Sequence, residues 1–263
     1  MMKRTSLWAW LWLLLGTLYF FVPLFATLQF SLKAKKDQLS VTAYQNVLQS
    51  PAFFQSFGFS FRTALITIVV SALLIVPTAY WVNLRLPRLR PVIEFFTLLP
   101  IVVPAVVLVF ALIRSYNRTP LTNSRGGTYI LLVGAYVILS FPYMYRAVDT
   151  GLRSINARTL TEAAQSLGAG WGTILFRVIF PNIYIALFSG AFITFAIVMG
   201  EFTIASLLSQ PAFGPYMNLI SSSKVYEPSA LAIISFALTW AAIGLLQLLG
   251  RRLPGRVQIV GPR

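Results

Sequence analysis

The sequence has no cysteine and no histidine, and only six of its 263 residues are acidic. The first two absences exclude disulfides, thiol chemistry and a Ser-His-Asp triad, and they remove the side chains on which most zinc sites depend. Charged residues make up 10% of the chain, whereas a soluble domain has roughly 25%. Because so few charged groups cannot cover a water-exposed surface, the composition predicts an integral membrane protein.

Apolar residues are abundant instead. They make up 57% of the chain, and the mean hydropathy is +0.77. They are gathered in runs of about 20 residues, the length that a membrane-spanning helix needs. Few segments alternate polar and apolar residues, so helices are favoured over the strands of a membrane barrel. We predict an all-α membrane protein with one transmembrane domain over residues 1–263.

The basic residues fall between the apolar runs. A net charge of +15 would indicate nucleic-acid binding in a soluble protein. In a membrane protein, the positive-inside rule and anionic head groups account for it. We therefore predict contact with membrane lipid and no nucleic-acid partner. The chain has no G-x-x-x-x-G-K-[ST] motif, so it is not expected to bind the phosphates of ATP itself.

Six spans with both termini in the cytoplasm account for the apolar runs. The predicted spans cover residues 7–30, 61–82, 92–113, 128–145, 183–208 and 229–250. In this topology, thirteen of the 21 basic residues lie inside and eight lie outside, in keeping with the positive-inside rule. The first run is longer than the apolar part of a signal peptide, so we expect an uncleaved span.

Two prolines on successive turns interrupt the third span. Pro100 and Pro104 are predicted to bend or unwind it, and broken helices at membrane depth line a cavity or pack on protein. We assign both to a predicted translocation pathway, together with Tyr216 in the aromatic, turn-rich loop 210–216. That loop either meets a partner outside, narrows the pathway, or is a packed interfacial loop.

Glu201 lies within the fifth predicted span, where an acid costs roughly 2.5–3.5 kcal/mol. In one interpretation it is a residue of the translocation pathway or its gate. In the other it makes a structural hydrogen bond near the outer interface, or pairs with a basic residue such as Arg62. Glu94 and Asp149 lie beside arginines at span ends, and we interpret them as local charge partners.

The polar segment between the fourth and fifth spans, residues 146–181, is named the coupling segment below. Glu162 opens a run of good helix formers. Thr159 or Thr161 is predicted to cap this helix, with Glu162 in its first turn. Gly168 is suited to the left-handed conformation that ends a helix.

A second short helix is expected in the coupling segment after the glycine turn. It is predicted to run from Trp171 to Phe180, and Pro181 is expected to end it because proline cannot continue a helix. Two helices fixed to two spans would form a rigid body outside the membrane.

Seven residues of the coupling segment have the spacing of a known motif: Glu162, Ala163, Ala164, Gly168, Val178, Phe180 and Pro181. They resemble the EAA motif of ABC-importer permeases, with Val178 and Phe180 in place of Ile and Leu. Six spans, with the motif between spans four and five, are similar to the type I, MetI-like permease fold over nearly the whole chain.

The resemblance implies that the coupling segment docks in a groove of an ATP-binding subunit and transmits its movement to the spans. It also implies two ATP-binding subunits, an extracytoplasmic solute-binding protein, and a second permease, either a distinct homologue or an identical copy. ATP and magnesium would lie on the ATPase, so this chain is expected to bind no cofactor or metal and to catalyse nothing. The implied location is the cytoplasmic (inner) membrane of a prokaryote.

The substrate is indicated only weakly. Thr42-Ala43-Tyr44 and Gly200-Glu201-Phe202 are similar to the polyamine, iron and thiamine branch of these permeases. We prefer a polyamine such as spermidine or putrescine. Ferric iron, thiamine or an oxyanion such as sulfate or molybdate are the alternatives. A stand-alone ion-coupled carrier or a membrane enzyme is more distant, because the sequence offers one clearly intramembrane acid, no repeat and no catalytic acid pair.

Overall fold

The computed structural model describes residues 7–35 and 38–251. Helices make up nearly all of the regular structure in these ranges, and strand-like pairing is limited there to two isolated bridges, Lys33 with Ser40 and Lys35 with Gln38. The described residues divide into two compact units, which are treated separately. The first contains residues 7–55 and 216–241, and the second contains residues 56–215 and 242–251. The all-α class is confirmed.

The first unit contains the first described residues and a later segment that ends at residue 241. Its helices are α1 (Leu7–Ser31), α2 (Thr42–Leu48), the start of α3 (Pro51–Arg85), most of α12 (Phe213–Ser223) and the first part of α13 (Glu227–Arg251), and the last three are shared with the second unit. Ser31 and Tyr44 share a hydrogen bond of 2.7 Å, and Asn46 donates to Glu227 at 3.0 Å. These contacts join the end of α1 to α2, and α2 to the start of α13.

The second unit contains the rest of α3 and the middle of the chain. Its other helices are α4 (Arg90–Val102), α5 (Ala105–Ser115), α6 (Pro120–Asn123), α7 (Arg125–Ser154), α8 (Ala157–Ser166), α9 (Trp171–Thr173), α10 (Phe180–Gly200) and α11 (Thr203–Leu207). A 3₁₀ turn (Pro87–Leu89) precedes α4, and a π-helical stretch (Ile174–Ile179) joins α9 to α10. One helix therefore runs without interruption from Trp171 to Gly200.

Four described helices are long and apolar enough to cross a membrane: Trp8–Ser31, Pro51–Arg85, Arg125–Ser154 and Trp171–Gly200. The segments Pro87–Val102 and Ala105–Ser115 count as a fifth span if the bent pair is taken as one. The part of α13 over Glu227–Ala241 is a shorter apolar helix. Six spans, the single domain and cytoplasmic termini therefore stay predictions.

The helices extend beyond the predicted spans. The span predicted at 61–82 lies within α3, which begins ten residues earlier at Pro51. The span predicted at 128–145 continues in α7 to Ser154, into the coupling segment. Hydropathy marks the part of a helix that lies in lipid, whereas the helix itself ends where its hydrogen bonding ends.

The predicted break in the third span is confirmed. The segments before and after it meet at 97°. Val103 is extended, with φ −82° and ψ 119°, and Pro104 precedes α5. A residue before proline is driven from the helical region by the proline ring, so the break falls at Pro104. Pro100 stays inside α4.

Close helix packing in the second unit depends on glycines in α7 and α10. A Cβ at Gly151 would lie 2.6 Å from that of Ala186, and one at Gly190 would lie 3.0 Å from the sulfur of Met144. Small residues let membrane helices approach closely and gain van der Waals contact. This packing fixes α10, and with it the coupling segment, against α7.

Candidate functional site

The first helix of the coupling segment begins earlier than predicted. It starts at Ala157, after Asn156 in the left-handed conformation (φ 48°, ψ 61°), and no side chain caps it. The prediction that Thr159 or Thr161 caps this helix is therefore wrong. So is the placement of Glu162 in its first turn, since five helical residues precede it.

Thr161 has a different role from the predicted one. It is 1% exposed, and its hydroxyl donates to the carbonyl of Ala157 at 2.6 Å. The same hydroxyl shares a hydrogen bond of 2.8 Å with the hydroxyl of Tyr80 in α3. Thr161 thus ties α8 to a long helix from which it is separated by about 80 positions in the chain.

The three residues of the Glu-Ala-Ala motif face different surroundings. Glu162 and Ala163 are exposed, whereas Ala164 is buried in the apolar cluster formed with α3, α7 and α10. Glu162 forms an ion pair with Arg158, one helical turn earlier, at 2.8 Å. One side of α8 therefore packs on the spans, and the other side is free of contacts with them.

A Schellman motif ends α8 as the sequence predicts. Gly168 has φ +78°, a conformation that glycine adopts without strain. Its N–H donates to the carbonyl of Gln165 at 2.9 Å, and the N–H of Ala169 donates to that of Ala164 at 3.0 Å. This pair of bonds satisfies two of the free carbonyls at the helix end. Leu167 at the tip is 89% exposed.

The second helix of the coupling segment does not end at Pro181, contrary to the prediction. It continues into α10 through the π-helical stretch Ile174–Ile179. Proline inside an α-helix clashes with the carbonyl four residues earlier, and the wider π-helical turn before Pro181 accommodates it. Asn182 donates its side-chain amide to the carbonyl of Val178 at 2.7 Å, which satisfies a carbonyl beside the proline.

The remaining motif residues of the second helix also divide into one that packs on the apolar cluster and two that are exposed. Val178 is half-buried and packs against the apolar cluster, while Phe180 is 41% exposed and Pro181 is exposed. At the start of the second helix, the ring of Trp171 lies 5.6 Å from that of Trp81, and the guanidinium of Arg85 lies 5.9 Å from the Trp171 ring. Both helices of the segment are thus attached to α3.

An ion network lies at the end of α7, where the helix enters the coupling segment. Asp149, whose side chain is 4% exposed, pairs with Arg90 at 2.8 Å and with Arg153 at 3.4 Å. Arg90 also pairs with Glu94 at 2.9 Å, and the side-chain amide of Asn83 donates to Asp149 at 2.9 Å. The network joins α3, α4 and α7, and Glu94 and Asp149 are charge partners of neighbouring arginines as predicted.

Glu201 lies at a break in the fifth span rather than inside a helix. It follows α10, and its backbone is extended, with φ −75° and ψ 128°. Its carboxylate accepts hydrogen bonds from the N–H groups of Ile204 and Ala205, at 2.8 and 3.2 Å, and from the hydroxyl of Tyr136 at 2.9 Å. The side chain caps α11 and joins it to α7. Within the described residues, no ion pair with Arg62 is formed.

The other predicted pathway residues are distributed over both units. Pro104 is exposed at its helix break and Pro100 is half-buried. Gly214 packs so closely on the break at Glu201 that a Cβ there would overlap the Glu201 carbonyl oxygen and lie 2.9 Å from the Cα of Phe202. Tyr216, in the first unit, is buried in α12, with its hydroxyl 3.4 Å from that of Ser50.

Sequence reasoning missed Tyr80, Asn83 and Tyr136. Each is a polar residue in an apolar helix, and each supplies a hydrogen bond to Thr161, Asp149 or Glu201. Buried polar groups need partners, so a partner was to be expected, but only the fold shows which one. In the part of the chain that the structure describes, no group of three or more acidic, histidine or cysteine side chains is placed to hold a metal ion.

These features define a class: an all-α integral membrane protein with interrupted spans and a two-helix segment attached to its longest helices. Comparison with known proteins identifies the family. A family model described as "Binding-protein-dependent transport system inner membrane component" matches residues 75–254, and the chain belongs to this family. It is the permease subunit of an ABC importer in the inner membrane, and the family implies ATPase and binding-protein partners.

Relatives with different named substrates match the chain. The molybdenum transport system permease protein ModB of Mycobacterium tuberculosis is 28% identical over 219 residues, covering 79% of this chain and 83% of that protein. The spermidine/putrescine transport system permease protein PotC of Haemophilus influenzae is 30% identical over 125 residues, covering 46% of this chain and 48% of that protein.

The fold is also that of a solved transporter. A crystal structure of a bacterial ABC transporter involved in the import of the acidic polysaccharide alginate matches with a TM-score of 0.65 and 20% identity. The match covers 90% of this chain and 93% of the other. At this identity the likeness shows the fold alone, which is the MetI-like permease fold.

Proposed function

We propose that this permease is driven through the coupling segment, whose exposed side docks on an ATP-binding subunit. The observation that carries the proposal is the division of the motif between two surfaces. Thr161, Ala164 and Val178 hold the segment to the spans, while Glu162, Ala163 and Leu167 are presented away from them. A body with one anchored side and one free side can receive a force and pass it on.

The free side has the chemistry of a docking surface. Leu167 at 89% and Phe176 at 66% are highly exposed apolar side chains in the coupling segment, and exposed apolar groups outside the lipid indicate contact with protein. Ala163 has a small side chain that allows a second helix or groove wall to approach. The partner would bind ATP and magnesium, and this chain would bind neither and remain non-catalytic.

The assembly that we propose contains two ATP-binding subunits, one under each of two permeases, and a solute-binding protein outside. A second permease would supply the other half of the pathway, in our preferred form a distinct homologue. The breaks at Pro104 and Glu201 come just before helices α5 and α11, which share one apolar cluster through Val109, Ile204 and Ala205. Breaks that belong to one packed cluster support a place for both in the translocation pathway.

For the transported solute, two chemical classes have support: a cationic polyamine and an oxyanion. The polyamine preferred from the sequence is supported by the match to PotC, and an oxyanion is supported by the match to ModB, which covers more of the chain. Ferric iron and thiamine have no support from these two relatives. The names of relatives do not separate a cation from an anion, so the distinction has to come from the chain itself.

The docking proposal is tested by Glu162→Ala and Gly168→Asp in the permease purified with its partners. We expect each to reduce the recovered ATPase about tenfold, a loss of about 1.4 kcal/mol in association. Membrane insertion should be unchanged, because Glu162 is in an exposed ion pair worth under about 1 kcal/mol. Arg158→Ala is the matched control, since it breaks the same pair and leaves the motif intact.

Normal recovery of the ATPase and normal transport in both variants would contradict the docking proposal. Equal losses in Glu162→Ala and Arg158→Ala would also count against it, because the ion pair rather than the motif would then be responsible.

A further inference from the structure

A cavity in the second unit is used neither by the coupling segment nor by the helix breaks. It has a volume of about 1000 Å³ and lies between α3, the loop that leads into α7 and the loop that follows α11. Arg62, Asn123, Arg125 and Gln210 supply its longer polar side chains. The predicted topology places these residues on the outer side of the membrane, where a binding protein would release its solute.

The cavity has cationic side chains without counter-ions. Arg62 and Arg125 both line it, and no acidic residue does. Both arginines are exposed, and neither forms an ion pair within the described ranges 7–35 and 38–251. A guanidinium has five N–H donors in a planar fork, and it binds oxyanions through pairs of parallel hydrogen bonds.

Four of the neutral polar side chains that line the cavity make local bonds. The hydroxyls of Thr122, Ser124 and Thr128 donate to backbone carbonyls. The side-chain amide of Gln210 donates to the hydroxyl of Thr128 at 2.9 Å. The donors that remain for a ligand are those of Asn123, Tyr129, Ser209 and the two arginines, and only the arginines among the lining residues are charged. The lining therefore favours an anionic ligand.

The acidic residue nearest in sequence to this cavity does not line it. Glu201 precedes the lining residues 207–211 by six positions, and its carboxylate already accepts three hydrogen bonds, from Tyr136 and from two backbone N–H groups. A polyamine in the cavity would thus meet two uncompensated positive charges and no carboxylate among the lining residues. Charge of one sign in a cleft concentrates ligands of the opposite sign.

We propose that this cavity admits an anionic solute, so that the substrate of the permease is an oxyanion rather than a polyamine. The proposal rests on the importer function proposed above and specifies its substrate class. Arg62 and Arg125 are its specificity-determining residues. It reverses the preference drawn from the sequence, because the resemblance to the polyamine branch depended on short segments that do not line the cavity.

The test uses the complete transporter in proteoliposomes, with its ATPase and binding protein. ATP-dependent uptake is measured for molybdate, sulfate and phosphate as anions and for spermidine as the cation. We expect uptake of at least one anion and none of spermidine. In the double variant Arg62→Gln and Arg125→Gln, the KM for that anion should rise at least about tenfold, because two charged contacts are lost, with kcat unchanged. Arg118→Gln, an exposed arginine outside the cavity, should stay within about twofold of the wild type.

Several results would overturn the substrate class. ATP-dependent spermidine uptake would do so while leaving the importer function intact, as would uptake of none of the three anions. An unchanged KM in the double variant would remove the role of the two arginines. If the double variant instead weakened association of the empty binding protein at an unchanged KM, the cavity would be a docking surface for acidic side chains of that protein. Failure to recover any ATPase with the permease would count against the proposed function itself.

Discussion

Two carboxylates are associated with α7, and they are stabilised in different ways. Asp149 is a buried residue of this helix, and the half-buried Glu201 bonds to its Tyr136. Asp149, in the first part of the coupling segment, is surrounded by the charged groups of Arg90 and Arg153 and by one amide. Glu201, at the break in the fifth span, is bound by a phenol hydroxyl and two backbone N–H groups, none of which is charged. One carboxylate joins three helices, and the other holds an unwound stretch of backbone.

The difference follows from the desolvation cost of a charged partner, which is lower where that partner reaches water. Arg153 is 53% exposed in its side chain, so part of the Asp149 network reaches water and avoids the full cost of burying charge. At the helix break, the free N–H groups at the start of α11 belong to the buried residues Ile204 and Ala205, and buried N–H groups need acceptors. The carboxylate of Glu201 accepts their hydrogen bonds, and these bonds in turn stabilise its charge. An ion network therefore suits the helix ends, whereas a neutral set of donors suits the break.

The largest effect is expected at the ion network. Asp149→Asn removes the charge that Arg90 faces, and Arg90 is only 26% exposed. Arg90 would keep only its pair with Glu94, whose side chain is 46% exposed. We therefore expect a loss of about 3 kcal/mol, the lower limit for breaking a buried pair. The measurement is the thermal unfolding midpoint of the purified transporter. Glu162→Gln, which breaks a pair with side chains 73% and 60% exposed, should cost under about 0.5 kcal/mol. Equal shifts of the unfolding midpoint in the two variants would contradict the expectation that the buried pair contributes more stability than the exposed one.

A smaller effect is expected where the backbone is unwound. Gly214→Ala places a Cβ against the carbonyl of Glu201 and the Cα of Phe202, and we expect a loss of about 2 kcal/mol from overpacking. Gly200→Ala is the control, because nothing lies within 4 Å of a Cβ built there. It should be neutral or slightly stabilising in the melting experiment. A Gly214→Ala protein as stable as the wild type would mean that the break is not tightly packed.

The smallest effect is expected from the phenol that binds Glu201. Tyr136→Phe removes one of three hydrogen bonds to the carboxylate and should cost about 1.5 kcal/mol, as for bonds to charged groups. Tyr145 on the same helix is the control, because its buried hydroxyl has no hydrogen-bond partner among the described residues. Tyr145→Phe should therefore leave the melting midpoint unchanged. Similar shifts in both variants would show that the Tyr136 bond contributes nothing specific.

Features that depend on one or two neighbouring residues could be predicted from the sequence. The break before Pro104 and the glycine turn at Gly168 are of this kind. Proline restricts the backbone of the residue before it, and glycine adopts positive φ without steric strain. The family resemblance also depended on local spacing. These predictions are confirmed by the 97° bend, by φ +78° at Gly168 and by the matching family model.

Features that depend on distant residues could not be predicted. Thr161 was expected to cap a helix because threonine favours that position, but its hydroxyl is taken by Tyr80. Glu201 was placed inside a helix because hydropathy does not register a short unwound stretch, and its partner Tyr136 is on another helix. The outcome at Pro181 depended on the change in hydrogen-bonding register over Ile174–Ile179, which no propensity indicates.

The uninterrupted helix from Trp171 to Gly200 has a mechanical consequence. At about 1.5 Å per residue, its 30 residues form a rod of about 45 Å. Under the proposed docking of the coupling segment, a break at Pro181 would have placed a hinge between that segment and the rest of α10. With the π-helical turns in place, a force on the segment would instead be carried along the rod to the unwound backbone at Glu201.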